Sequence, residues 1–129
     1  MDMERNRLNS SIPTETGLLA QLSHLDLQRN VLESSIPSEI GLLTQLVRLD
    51  LSTNNLDGSI PTGIIHLTKL TSLYLNGNNL SGDVTSLFCN PSENYESISG
   101  TFASLTAPAV GCSATAEKGV VCGCCGWPC

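Results

Sequence analysis

Basic residues are scarce in this chain of 129: six Lys and Arg stand against twelve Asp and Glu, for a formal charge of −6. A phosphate backbone is repelled by such a balance, so nucleic acid is excluded as the expected partner. No run approaches the roughly 18 consecutive apolar residues of a membrane span, and Met1–Arg7 is charged where an export signal is apolar. The chain as written therefore shows neither a membrane span nor a signal peptide. Aromatic residues number five, which leaves an aliphatic core. No glycine-rich phosphate loop or kinase motif occurs, and neither His24 nor His66 has a nucleophile with an assignable partner. The expected class is a non-enzymatic protein without catalytic residues, cofactor or metal.

What is abundant is leucine, with 20 residues, and serine, with 16, beside 10 asparagines. Sliding the sequence by 24 positions superposes Leu22–Leu32 on Leu46–Leu56 and on Leu70–Leu80, three consecutive units that read LxxLxLxxNxL. The register extends forward through Ile36-Pro37 and Ile60-Pro61 to Val84, and backward through Ile12-Pro13, Leu8 and Asn6 to Met3 and Met1. In LxL the leucines face inward and the residue between them outward, which predicts one short strand per turn of chain. Identical paths of this length bring successive strands about 4.8 Å apart as a parallel ladder, each turn burying its leucines only against its neighbours. Asn6, Asn30, Asn54 and Asn78 fall where the chain leaves the strand, and their amides are expected to form a structural ladder satisfying backbone groups at the bend. Ile-Pro at 12–13, 36–37 and 60–61 is expected to place proline at the first position of a short helical turn, with Leu19, Leu43 and Leu67 packing from the convex side.

The pattern resembles the leucine-rich repeat proteins of the plant-specific class, whose consensus is LxxLxLxxNxLxGxIPxxIGxLTxL. The resemblance covers residues 1 to about 88, and its most diagnostic segments are Leu56–Pro61 and Ile60–Leu70. Ser10 and Ser34 stand where the consensus has glycine, Ile65 where Gly17 and Gly41 set the pattern, and Thr85 in place of proline. The resemblance implies an α/β solenoid: a parallel β ladder on the concave face, short 3-10 or α turns on the convex side, and a cap. It also implies protein or peptide recognition in an extracellular or cell-surface setting, as in receptor-like ectodomains and wall-enzyme inhibitors.

Periodicity fails beyond Phe88. The leucine position that follows Leu70 falls on Asn94, and Ser97 and Ser99 take the next two. The expected division is repeats over 1–89, about 3.5 of them with units 22–45, 46–69 and 70–89, and a cysteine-rich capping segment over 90–129. All six cysteines, Cys89, Cys112, Cys122, Cys124, Cys125 and Cys129, lie in or beside that segment. An even number in a stretch too short for its own core fits three disulfides in any of fifteen pairings, with adjacent Cys124 and Cys125 not joined to each other. A competing reading is a thiolate metal site at 122–129, against which stand the missing second CxxC and the lack of a nearby histidine. Asn9-Ser10-Ser11 and Asn79-Leu80-Ser81 are glycosylation sequons usable in an oxidising compartment.

Outward strand positions form four columns on the concave side: His24, Arg48 and Ser72; Asp2, Asp26, Asp50 and Tyr74; Glu4, Gln28, Ser52 and Asn76; Arg5, Arg29, Thr53 and Gly77. His24, Asp26, Gln28, Arg48, Asp50, Tyr74 and Asn76 are the candidate partner contacts, with Tyr74 the one aromatic anchor. Three stacked aspartates would attract a cation or basic peptide, or serve only the scaffold. Four strands of about 15 Å at about 4.8 Å spacing expose on the order of 300 Å², below the roughly 800 Å² per partner of a standard interface. Flanking surface, or a longer array of which this chain is a fragment, is therefore expected to contribute. Two other readings are a structural solenoid that self-associates through its first strand, and ice binding on a column of Ser11, Ser35 and Ser59.

Overall fold

The protein, seen in a computed structural model, is described throughout residues 1–82 and, beyond them, in the backbone of four strands at 97–99, 104–105, 112–115 and 118–122. Each turn repeats one order of elements. The LxL segments form β2 (His24–Asp26), β4 (Arg48–Asp50) and β6 (Ser72–Tyr74). They pair in parallel with His24 beside Arg48 beside Ser72, and Asp26 beside Asp50 beside Tyr74, while Asp2 bridges to Asp26. The inward leucines Leu25, Leu49 and Leu73 lose all contact with solvent. Leu27, Leu51 and Leu75 form the next inward row, followed by Leu32, Leu56 and Leu80, so the core is a stack of aliphatic layers.

A second strand per turn departs from the single one that periodicity predicts. β1 (Asn9–Ser10), β3 (Val31–Ser35) and β5 (Asn55–Asp57) form a parallel lateral sheet, with β7 (Ser81–Gly82) continuing the same position in the next turn. Across this sheet Asn9 faces Val31, Glu33 faces Asn55 and Ser35 faces Asp57. Neighbours thus differ by 22 in number rather than 24, which shears the lateral sheet by two positions against the repeat. One buried leucine between exposed neighbours, as in β3 and β5, is the alternation of a half-buried strand.

The far ends of the lateral strands take left-handed backbone. Gly58 (φ 70°) and Gly82 (φ 108°) supply it without strain, while Ser10 (φ 74°) and Ser34 (φ 67°) adopt it with a side chain attached. The convex side carries three 3-10 turns, η1 (Thr14–Leu18), η2 (Ser38–Leu42) and η3 (Thr62–His66). Pro13, Pro37 and Pro61 sit one position earlier than expected, as caps in extended conformation rather than as the first helical residue. Leu43 and Leu67 are buried as expected, whereas Leu19 in the first turn stays exposed. Gly17 and Gly41 allow the turns to stack: a Cβ on Gly41 would lie 2.6 Å from the Gly63 carbonyl oxygen, and one on Gly17 2.6 Å from that of Glu39.

The concave sheet continues where the sequence periodicity stops. β8 (Ser97–Ser99) pairs in parallel with β6, joining Leu73 to Ile98, and β9 (Ser104–Leu105) pairs with β7. A strict repeat would set Leu73 beside Ser97, whereas the sheet uses Ile98. One inserted residue thus moves the apolar position off the expected register and hides it from a fixed-period reading. β10 (Cys112–Thr115) and β11 (Lys118–Cys122) form an antiparallel hairpin that sets the backbone of Cys112 opposite Cys122, and β11 runs close to β8. Cys89, Cys124, Cys125 and Cys129 lie outside the described residues.

Candidate recognition surface

The asparagine ladder ties each turn to the one before. Nδ2 of Asn54 donates to the Leu51 and Ser52 carbonyls of its own turn and to the Leu27 carbonyl of the preceding one, while its Oδ1 accepts the Leu32 N–H. Asn30 repeats this with Met3, Leu27, Gln28 and the Leu8 N–H, and Asn78 with Leu51, Leu75 and the Leu56 N–H. Asn6, in the first turn, reaches only the Met3 and Glu4 carbonyls and is exposed. Residues just before the ladder take left-handed backbone: Arg5 and Arg29 at φ 54°, Thr53 at 55° and Gly77 at 70°.

The aspartates of the concave column are similarly occupied. Asp2, Asp26 and Asp50 each accept, through Oδ1 at 3.1 Å, the N–H two positions on, from Glu4, Gln28 and Ser52 respectively. Asp26 also accepts from Gln28 Nε2, and Asp50 from the Ser52 hydroxyl at 2.6 Å. This i to i+2 turn pins the strand's exit and explains how like charges stack at strand spacing. Among the described residues no group of three His, Cys, Asp or Glu side chains is arranged to hold a metal.

Arg48 gives the surface its centre. Its Nη2 lies 2.9 Å from Asp50 Oδ2, and its guanidinium carbon stands 4.5 Å from the centroid of the Tyr74 ring. Asp50 is 5% exposed at its side chain and Arg48 37%, so a buried carboxylate orients a half-open cation against an aromatic face. Sequence columns place Arg48 and Tyr74 in different rows, and only the diagonal reach of the arginine joins them. Asn76 and Ser72 flank the pair as half-buried neutral groups, while His24 is exposed and Gln28 half-buried toward the first turn. Around the first turns charges meet one another: Glu4 pairs with Arg5 at 3.0 Å and with Arg29 at 3.5 Å. His24 Nδ1 lies 3.0 Å from the Ser23 hydroxyl in an exposed contact, and among the described residues no carboxylate orients that ring. The contact lacks the third member that activates a nucleophile.

Similarity to known proteins follows these features. The Leucine Rich Repeat family profile matches residues 21–43, 45–67 and 69–91. The chain is a leucine-rich repeat protein. No curated protein sequence matches it. Among solved structures, this leucine-rich repeat chain is similar to the BIR3–SERK2 complex of Arabidopsis thaliana, at 36% identity and TM-score 0.66 over 78% of this chain and 55% of that one. It is similar to the plant peptide hormone receptor RGFR1 in complex with RGF2, at 33% identity and TM-score 0.66, over 79% of this chain and 16% of that chain. A plant ice-binding protein matches at 30% identity and TM-score 0.68, over 81% of this chain and 33% of that chain. The chain therefore spans about half the length, or less, of these solved relatives. Among the described residues no helix is long and apolar enough to cross a membrane.

Proposed function

We propose that this chain is a non-enzymatic recognition module, extracellular or at the cell surface, that binds a protein or peptide on its concave ladder. The observation that carries this reading is the Arg48–Tyr74 pair held by Asp50, a pre-oriented cation and aromatic face among neutral side chains. Such groups dominate binding energy at interfaces because an oriented Arg or Tyr loses little conformational freedom on contact. Related structures supply the setting: one is the BIR3–SERK2 complex and one the plant peptide hormone receptor RGFR1 in complex with RGF2. Tyr74, Arg48, Asn76 and Gln28 are the contacts we assign to the partner, with His24 and Asp26 at the rim. Asp50 acts through Arg48 as a positioning residue. Residues 90–129 serve as a disulfide-stapled cap, so intact mass rises by about 6 Da on reduction if three disulfides form; unchanged mass would remove the staple.

Selection of random peptides from a display library tests the concave site. The wild-type chain should enrich a peptide family that Arg48→Ala and Tyr74→Ala fail to enrich, while Glu33→Ala on the lateral sheet enriches it unchanged. Equal enrichment by all four proteins would move the site elsewhere.

A second reading has its own observation. Met1, Met3, Leu8, Ile12, Leu25 and Leu27 line an apolar recess of about 230 Å³ at the first turn, a face open to another solenoid turn. Sedimentation velocity distinguishes it: a concentration-dependent dimer lost in Leu8→Glu favours self-association. Ice binding has less support, because the lateral register sets Ser35 against Asp57 and so interrupts the serine row with carboxylate.

A further inference from the structure

Eight asparagines lie between positions 1 and 82. Four form the ladder, with Nδ2 committed to carbonyl oxygens. Asn9 and Asn79 differ from those four because neither side-chain amide has a hydrogen-bond partner among the described residues, and both are exposed, as only Asn6 is within the ladder. They are also the two asparagines of these eight followed at the second position by serine, Ser11 and Ser81, without an intervening proline. Their backbones are fixed by the fold. Asn9 is in β1 facing Val31, and Asn79 donates its N–H to the Leu56 carbonyl at 2.8 Å, just ahead of β7. Asn9 therefore lies in the lateral sheet and Asn79 at the entry to β7 on the same flank, and neither is on the concave ladder.

We infer that the lateral sheet is a glycan-bearing flank, modified at Asn9 and Asn79. The Nδ2 nitrogen bonds to the anomeric carbon of a lipid-pyrophosphate-linked oligosaccharide; the carbon–oxygen bond to pyrophosphate breaks, the lipid pyrophosphate leaves, and the amide proton passes to a base. Transfer onto the extended chain leaves the fold to accommodate the sugar. At Asn30, 7% exposed and bonded through both side-chain atoms, a glycan would block stacking; at Asn9 and Asn79 it projects into solvent. A bulky, hydrated glycan at each end of the flank closes it to a protein partner. Contacts beyond the concave ladder then fall to the opposite flank, where Lys69 Nζ donates to Gln45 Oε1 across one turn.

The inference takes only the secretory compartment from the proposed function, and its test supplies that compartment directly. The full chain, led by an appended signal peptide, is secreted from a eukaryotic cell, treated with an amidase that releases N-glycans and leaves aspartate, and mapped by peptide mass. Aspartate at both 9 and 79, with the mass heterogeneity abolished in Asn9→Gln/Asn79→Gln, is the expected result. Unmodified asparagine at either position in secreted, folded protein overturns it. Peptide selection with the double variant is a separate readout: the same peptides should be enriched, and loss of enrichment would contradict a flank outside the binding surface while leaving glycosylation itself decided by mass.

Discussion

At the scale of single residues, side chains at equivalent repeat positions do unequal work because they are unequally bonded. Asn54 bridges two turns with bonds in both directions, so Asn54→Ala leaves several buried backbone groups without partners and should lower unfolding free energy by about 3 kcal/mol. Asn6→Ala removes two exposed, local bonds and should cost less than about 1 kcal/mol. Denaturant titration of both variants checks the contrast, and equal losses would contradict the inter-turn role. Thr53 is β-branched at φ 55°, where asparagine is far better tolerated. Thr53→Asn should therefore stabilise the chain by about 0.5–1 kcal/mol in the same titration. The asparagine ladder is legible from spacing alone. The aspartate turns are not, because a carboxylate folding back on the N–H two positions along leaves no periodic mark distinct from an outward strand residue.

Elements are packed through glycine at the convex side and through register at the lateral side. Gly41→Ala would press a methyl group into the Gly63 backbone, which has no side chain to move aside, and should destabilise by about 1–3 kcal/mol. A thermal melt measures this, and an unchanged midpoint would mean the turns can spread apart. The concave strands are legible because LxL recurs at 25–27, 49–51 and 73–75, and its inward leucines dictate facing. The lateral strands escape such a reading because their pairing is sheared against the repeat and β3 and β5 each hide a single leucine between exposed neighbours. β8 escapes it because the step from Leu73 to Ile98 breaks a fixed period, although the apolar residue it needs is present. Proline at 13, 37 and 61 marks the right turn but caps it from outside, since its φ suits both the cap and the first helical residue.

For the molecule as a whole, the distribution of surfaces follows from stacking. The core is continuous from Ile12 to Leu80, and its first turn meets solvent at the apolar recess. The concave face carries exposed ion pairs at that end, and further along an arginine held by a buried carboxylate against Tyr74. The columns of the recognition surface can be listed from sequence, but which members cooperate cannot, since the Arg48–Tyr74 contact runs diagonally between rows. Each of Arg48→Ala and Tyr74→Ala should weaken a concave-face complex by about 1–3 kcal/mol without changing the unfolding midpoint appreciably. Titration calorimetry against a selected peptide, paired with melts of the free variants, separates lost contact from lost fold.

Hydrogen–deuterium exchange of the chain with and without a selected peptide tests the central claim most directly. The concave reading predicts slowed exchange in the strands and their exits at 24–28, 48–52 and 72–76, with 31–35 and 55–57 unchanged. Protection confined to the lateral strands or to the convex turns at 14–18 and 38–42 would contradict it.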